Sequence, residues 1–159
     1  MKFSLRPAAA RLMVLQVVLI PVGFMPVLCI SLNVLQLLPL HMGVWLLALP
    51  AALFAAVAGW LHPPLGRILL RGWLWGIVAV ALYDLGRVPF VLSGWRDFIP
   101  RIGEWLLNRQ GVPGIIGYAW RYLGNGGGMG MSFLLLLEWL KPEDKHIHIG
   151  VGYGLFVFL

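Results

Sequence analysis

Residues 72–92 read GWLWGIVAVALYDLGRVPFVL, and this run decides the fold class. As a helix rising about 1.5 Å per residue it is long enough to cross a hydrocarbon layer of about 30 Å, and Asp84 and Arg87 are its only charged residues. Working outward, three more stretches have the same character: Met13 to Leu35 with an extension to Leu38, Val44 to Leu61, and Ile115 to Leu137. Of the 159 residues 60% are hydrophobic and 11% charged, against roughly 45–50% and about 25% in a soluble domain. A soluble enzyme, a secreted disulfide scaffold and a disordered chain are excluded. The expectation is an all-α integral membrane protein, a polytopic helical bundle forming a single domain over residues 1–159.

Pro21 and Pro26 interrupt the first span, because each removes a backbone donor and crowds the preceding turn. Leu38-Pro39-Leu40-His41 turns the chain into the second span, and a cationic turn with Arg67 and Arg71 leads to the third. Ile147 to Leu159 is apolar but too short to cross, so the reading is four complete spans plus the start of a fifth, in a C-terminally truncated sequence. With the N-terminus inside, Lys2, Arg6, Arg11, Arg67, Arg71, Lys141 and Lys145 face the cytoplasm, and Arg96, Arg101 and Arg109 face out. Retention of Lys and Arg on the cytoplasmic side favours that orientation, in a bacterial inner membrane. The formal charge of +6 follows from these flanking cations and implies no nucleic acid.

The outer loop from Ser93 to Pro113 carries Trp95, Phe98, Ile99, Ile102, Trp105 and Leu106 at helical spacings among charged residues. This predicts a short amphipathic helix lying in the interface, divided into two pieces by Pro100. Trp45, Trp60, Trp73, Trp95, Trp105, Trp120 and Trp139 fall near span ends as belt residues, with Trp75 deeper.

Ionisable groups at membrane depth carry a cost and need a reason. In the third span Tyr83, Asp84 and Arg87 lie within one helical turn, with Asp84 and Arg87 three residues apart as an ion pair. In the fourth, Gly117, Arg121, Gly124, Asn125 and Gly128 share one narrow helical face, whose small residues predict close helix packing. Depth arithmetic sets Arg87 level with Arg121, and Asp84 level with Asn125. The expected cluster of Tyr83, Asp84, Arg87, Arg121 and Asn125 then holds two cations and one anion. It reads first as a clamp that fixes helix register. The alternative is a binding or transport site in which the surplus positive charge takes a small anion or a lipid headgroup. Proton transfer through Asp84 and Tyr83 is a lesser reading.

The Gly124-Asn125-Gly126-Gly127-Gly128 run lacks the strand before it and the Lys-Ser or Lys-Thr after it that a nucleotide loop needs. His41 and His62 lie at opposite ends of the second span, and His146 and His148 have no carboxylate or thiol partner at a recognised spacing. Cys29 is the only cysteine. No catalytic residues, cofactor or metal are implied. The partners implied are the lipid bilayer and either other membrane subunits or further copies of the chain. A helper subunit, a transporter, and a membrane enzyme whose catalytic motifs lie beyond Leu159 are the classes left open.

Overall fold

The computed structural model describes residues 7–140 and 146–158, with side chains described for 12–140 and 148–154. Lys2, Arg6, Lys141 and Lys145 lie outside the described residues, as do the side chains of Arg11 and His146. Among the described residues all regular structure is helical: α1 (Pro7–Val22), α2 (Met25–Val34), α3 (Leu40–Gly43), α4 (Leu49–Leu61), α5 (Pro63–Leu92), α6 (Ile99–Leu107), α7 (Gly114–Ala119), α8 (Gly127–Leu140) and α9 (His146–Phe158). Two wider π-helical segments, Val44–Ala48 and Trp120–Gly126, join α3 to α4 and α7 to α8 as continuous rods.

Prolines and glycines set the boundaries. The first rod breaks at Gly23 and Phe24, and α2 restarts with Pro26 in its first turn, where a missing N–H costs nothing. At the break the Phe24 N–H turns to the Pro21 carbonyl at 3.1 Å. The Ile20 carbonyl is thereby released, and the buried Ser132 hydroxyl donates to it at 2.6 Å.

The second rod begins at Leu40, earlier than the expected Val44, because the side-chain oxygen of Asn33 accepts from the Leu40 N–H at 2.8 Å and anchors the turn. The cationic turn is also corrected. His62 alone is extended (φ −126°, ψ 83°), as a residue before proline must be, and Pro63 and Pro64 start α5 at once, so Arg67 and Arg71 are helical.

Antiparallel packing of α5 on α8 organises the bundle. Gly72 and Gly76 face Gly130 and Gly126 so closely that a Cβ on any of them would run into backbone or a packed side chain. Gly23 meets Gly128 in the same way, which seats the first rod on α8. Leu19, Ala55, Ala58, Leu65, Leu69 and Leu135 form one apolar cluster, and Cys29, Leu40, Ala48 and Ile102 form a second.

Among the described residues three helices are long and apolar enough to cross a membrane: Leu12–Val34, Leu40–Leu61 and Pro63–Leu92, with mean hydropathies of 2.4, 2.1 and 1.6. Only 17%, 17% and 22% of their most apolar windows are buried, so most of this apolar surface faces outward and suggests a membrane protein. The rod over residues 114–140 is not among them, because Arg121, Asn125 and its glycines dilute its apolar character.

Helix α6 departs from expectation in two ways. Pro100 falls in the first turn of α6 and starts the helix, so α6 is one piece. Its apolar side, with Ile99, Ile102 and Gly103 buried, packs on protein: Gly103 lies against Gly117 and Ile116, and Ile102 belongs to the second apolar cluster. A left-handed Asn108 (φ 48°) ends α6, and the Glu104 carboxylate accepts from the Gly111 N–H at 3.0 Å. The tryptophans also divide. Trp45, Trp60, Trp75 and Trp95 are exposed, whereas Trp73 is pressed against Gly127 and Trp120 has a buried indole nitrogen.

Candidate functional site

The charged residues meet where α5 passes the second π segment and α7. Arg121 donates from Nε and Nη2 to Asp84, at 3.0 Å to Oδ2 and 2.7 Å to Oδ1. The Tyr83 ring lies 5.2 Å from the same guanidinium, a cation–π contact. Arg87 Nε stands 3.6 Å from Asp84 Oδ1, within ionic range but too far for a hydrogen bond, and that nitrogen is buried without a hydrogen-bond partner among the described residues. Arg87 turns instead toward the loop before α6, where its Nη2 donates to Asp97 Oδ1 at 3.1 Å. Tyr118 donates its hydroxyl to the other oxygen of Asp97, and the Ile99 N–H also donates to Asp97, at 3.1 Å. Tyr122 stands near Asp84 and lines the same opening.

These contacts form a chain in which cations and anions alternate: Asp97, Arg87, Asp84, Arg121. All four side chains are 11–19% exposed, so the chain is enclosed by protein. Its charges balance. The expected surplus of one positive charge is therefore overturned by Asp97, which pairs with Arg87 from the loop before α6.

Burial pushes the Asp97 carboxyl up, but the Tyr118 hydroxyl, the Ile99 N–H and Arg87 together outweigh it and hold the group below the usual carboxylate range. The residue lies in the loop before α6, so this network ties α6 to α5 and α7.

The expected register is corrected by one helical turn. Arg121 lies level with Asp84 and Tyr118 with Arg87, while Asn125 takes no part: its Oδ1 is buried and accepts no hydrogen bond among the described residues. The cause is the glycine pairing of Gly126 and Gly130 with Gly76 and Gly72, which fixes the sliding position of α8 on α5.

The single small-residue face is also redistributed. A Cβ on Gly117 would strike the Ile99 carbonyl of α6, one on Gly124 would come within 3.3 Å of Pro26 of α2, and Gly128 meets Gly23. Wider π turns advance less per residue than α turns, so residues that an ideal α-helix would align no longer share a side. Arg121 faces α5 while Gly124 and Gly128 face the first rod. Trp73 closes the π segment by donating its indole N–H to the Leu123 carbonyl at 2.9 Å.

Two openings flank the Asp84–Arg121 pair. One of about 420 Å³ is lined by Asp84, Arg87, Tyr118 and Tyr122. The other, about 650 Å³, is lined mainly by apolar residues of α5, α8 and α9, with Arg121 and Tyr83 among its walls. Among the described residues no group of three His, Cys, Asp or Glu side chains could hold a metal ion. Comparison with family models, curated protein sequences and solved structures finds no match for the chain.

Proposed function

We propose that this chain is a polytopic protein of a bacterial-type inner membrane, with its N-terminus cytoplasmic. In this reading the rod over residues 114–140 is a fourth span and α9 belongs to a fifth. The outward-facing apolar surface of the three long helices supports insertion, since in water so much exposed apolar area would drive aggregation. Reporters fused after Gly103 should be active only outside the cell, and reporters after Glu143 only inside. The opposite pattern would overturn the orientation.

Within that bundle the charged chain acts as a structural clamp that fastens the outer helix α6 to the third and fourth spans, and the protein is a scaffold or helper subunit. The charge balance of Asp97, Arg87, Asp84 and Arg121 carries this reading, because a site for a free anion needs positive charge that is not already paired. Spin labels on Arg101→Cys and Leu92→Cys, in a Cys29→Ala background, test it. The account expects a narrow distance distribution that broadens when Arg87→Gln is added. A distribution unchanged by Arg87→Gln would overturn the clamp.

A further inference from the structure

We infer that the larger groove, between α5, α8 and α9, is a site for one acyl chain of a glycerophospholipid, with the ester carbonyl of that chain accepting a hydrogen bond from Arg121. The inference rests on the membrane reading above. At about 650 Å³ the groove falls within the range of about 300–1,000 Å³ typical of ligand pockets. Its walls are of the kind a hydrocarbon chain fills, with Trp75, Phe133 and Leu134 as apolar sides and the glycines of facing helices making room between them. Tyr153 closes the inner part, its ring 4.9 Å from Phe133 and its hydroxyl donating to the Met129 carbonyl at 2.7 Å. From Arg121 to Phe133 the helical rise is somewhat under about 18 Å, because the segment begins in the π turns, and this length suits an extended fatty-acyl chain.

Among the described residues Arg121 is the one charged residue in the lining. Asp84 takes its Nε and Nη2, and Nη1 makes no hydrogen bond among the described residues. With the guanidinium charge already balanced by a carboxylate, a second anion would have to compete with Asp84. A neutral acceptor can take Nη1 without disturbing the pair.

Depth selects the acceptor. Asp84 is roughly 12 Å of helical rise from the outer end of α5, and with this 30-residue helix centred on a hydrocarbon layer of about 30 Å the pair lies within about one turn of the layer's outer boundary. Lipid ester carbonyls lie at that boundary. Trp75 and Tyr83, at 67% and 46% exposure, flank a mouth that opens sideways, the direction from which a lipid arrives.

The test uses the full chain in vesicles of phosphatidylethanolamine and phosphatidylglycerol, doped with a diester phosphatidylcholine bearing a photoactivatable group in one chain. Mass spectrometry then reads the labelled peptides. Labelling is expected to concentrate on residues 129–134 and 150–154. Gly154 lines the groove and has nothing within 4 Å of a built Cβ among the described residues, so Gly154→Leu should fill the site and lower the labelling at least about tenfold. Gly152 is equally open but does not line the groove, and Gly152→Leu should leave the labelling unchanged. An ether-linked analogue, which lacks the carbonyl, should label several-fold less.

Labelling spread evenly over outward residues such as Leu46 and Leu53, or undiminished by Gly154→Leu, would overturn the site. Equal labelling by ether and diester lipids would overturn the Arg121 contact. A chain that does not float with the vesicles would overturn the membrane reading, and the lipid site with it, whereas a chain that floats without groove labelling overturns the site alone.

Discussion

Arg121 presents two guanidinium nitrogens to Asp84 across the α5 crossing, with 2.7 Å as the shortest distance, while Tyr83 covers its face. The pair joins residues 37 positions apart and fixes both the rotation and the sliding position of the two helices at that level. Arg87 extends the same line of charge to Asp97, so the loop before α6 is bound to the bundle by ionic contacts as well as by apolar packing.

The ties to Asp97 should be sensitive to acid, and the sign follows from the direction of its shift. The folded carboxyl is held below its ordinary value of 3.8. Its contribution to stability is therefore complete above that ordinary value, and it is lost as pH falls through the lower folded value. Loosening of α6, followed by hydrogen exchange over residues 97–107, should rise in strongly acidic solution in the parent protein. Asp97→Asn should show the loosened exchange already at neutral pH, with a flatter dependence on acid. Equal exchange in both proteins at neutral pH would count against the tie.

At the crossing of α5 and α8, Gly130→Leu should destabilise by about 1–3 kcal/mol or more, because its side chain would meet the Gly72 carbonyl and the Gly76 backbone. Gly86 lies on the same helix as Gly76 with nothing within 4 Å of a built Cβ, so Gly86→Leu should be tolerated. Thermal unfolding in detergent compares the two. Equal midpoints would mean that close glycine packing does not set the register.

Trp73→Phe keeps a ring in place but removes the donor to the Leu123 carbonyl. A loss of about 0.5–1.5 kcal/mol is expected, the range for removing one ordinary hydrogen bond. Amide exchange in the Trp120–Gly126 segment should rise in parallel. If Trp73→Phe matches the parent in both measurements, the indole does not support the π segment.

Much of the architecture is legible in the residues themselves. Apolar runs and the prolines near mid-span mark the long helices, and the break at Gly23 falls between Pro21 and Pro26. The polar site is only half legible. Asp84, Arg87 and Arg121 stand out because charge within an apolar run needs a partner, but which residues pair depends on register, and one turn of sliding changes every partner. The π segment added a second displacement that an ideal helical wheel cannot represent. Asp97 was missed as a partner because its loop reads as amphipathic, a pattern that a helix packed on protein and a helix lying on lipid produce equally. Tyr118, one turn before Arg121, was the available signal, a phenol placed to bridge the loop carboxylate to the buried cations.

The most direct measurement is a double-mutant cycle on Asp84 and Arg121 in the full chain, using Asp84→Asn, Arg121→Gln and the two together. Each single variant leaves the enclosed chain one charge out of balance, which costs up to about 3–5 kcal/mol, whereas removing both restores the balance and should cost much less. The account predicts a double variant that unfolds later on heating than either single variant, with α6 still held through Asp97 and Arg87. Single-variant losses that simply add in the double variant would show that the two residues act independently and would contradict the clamp.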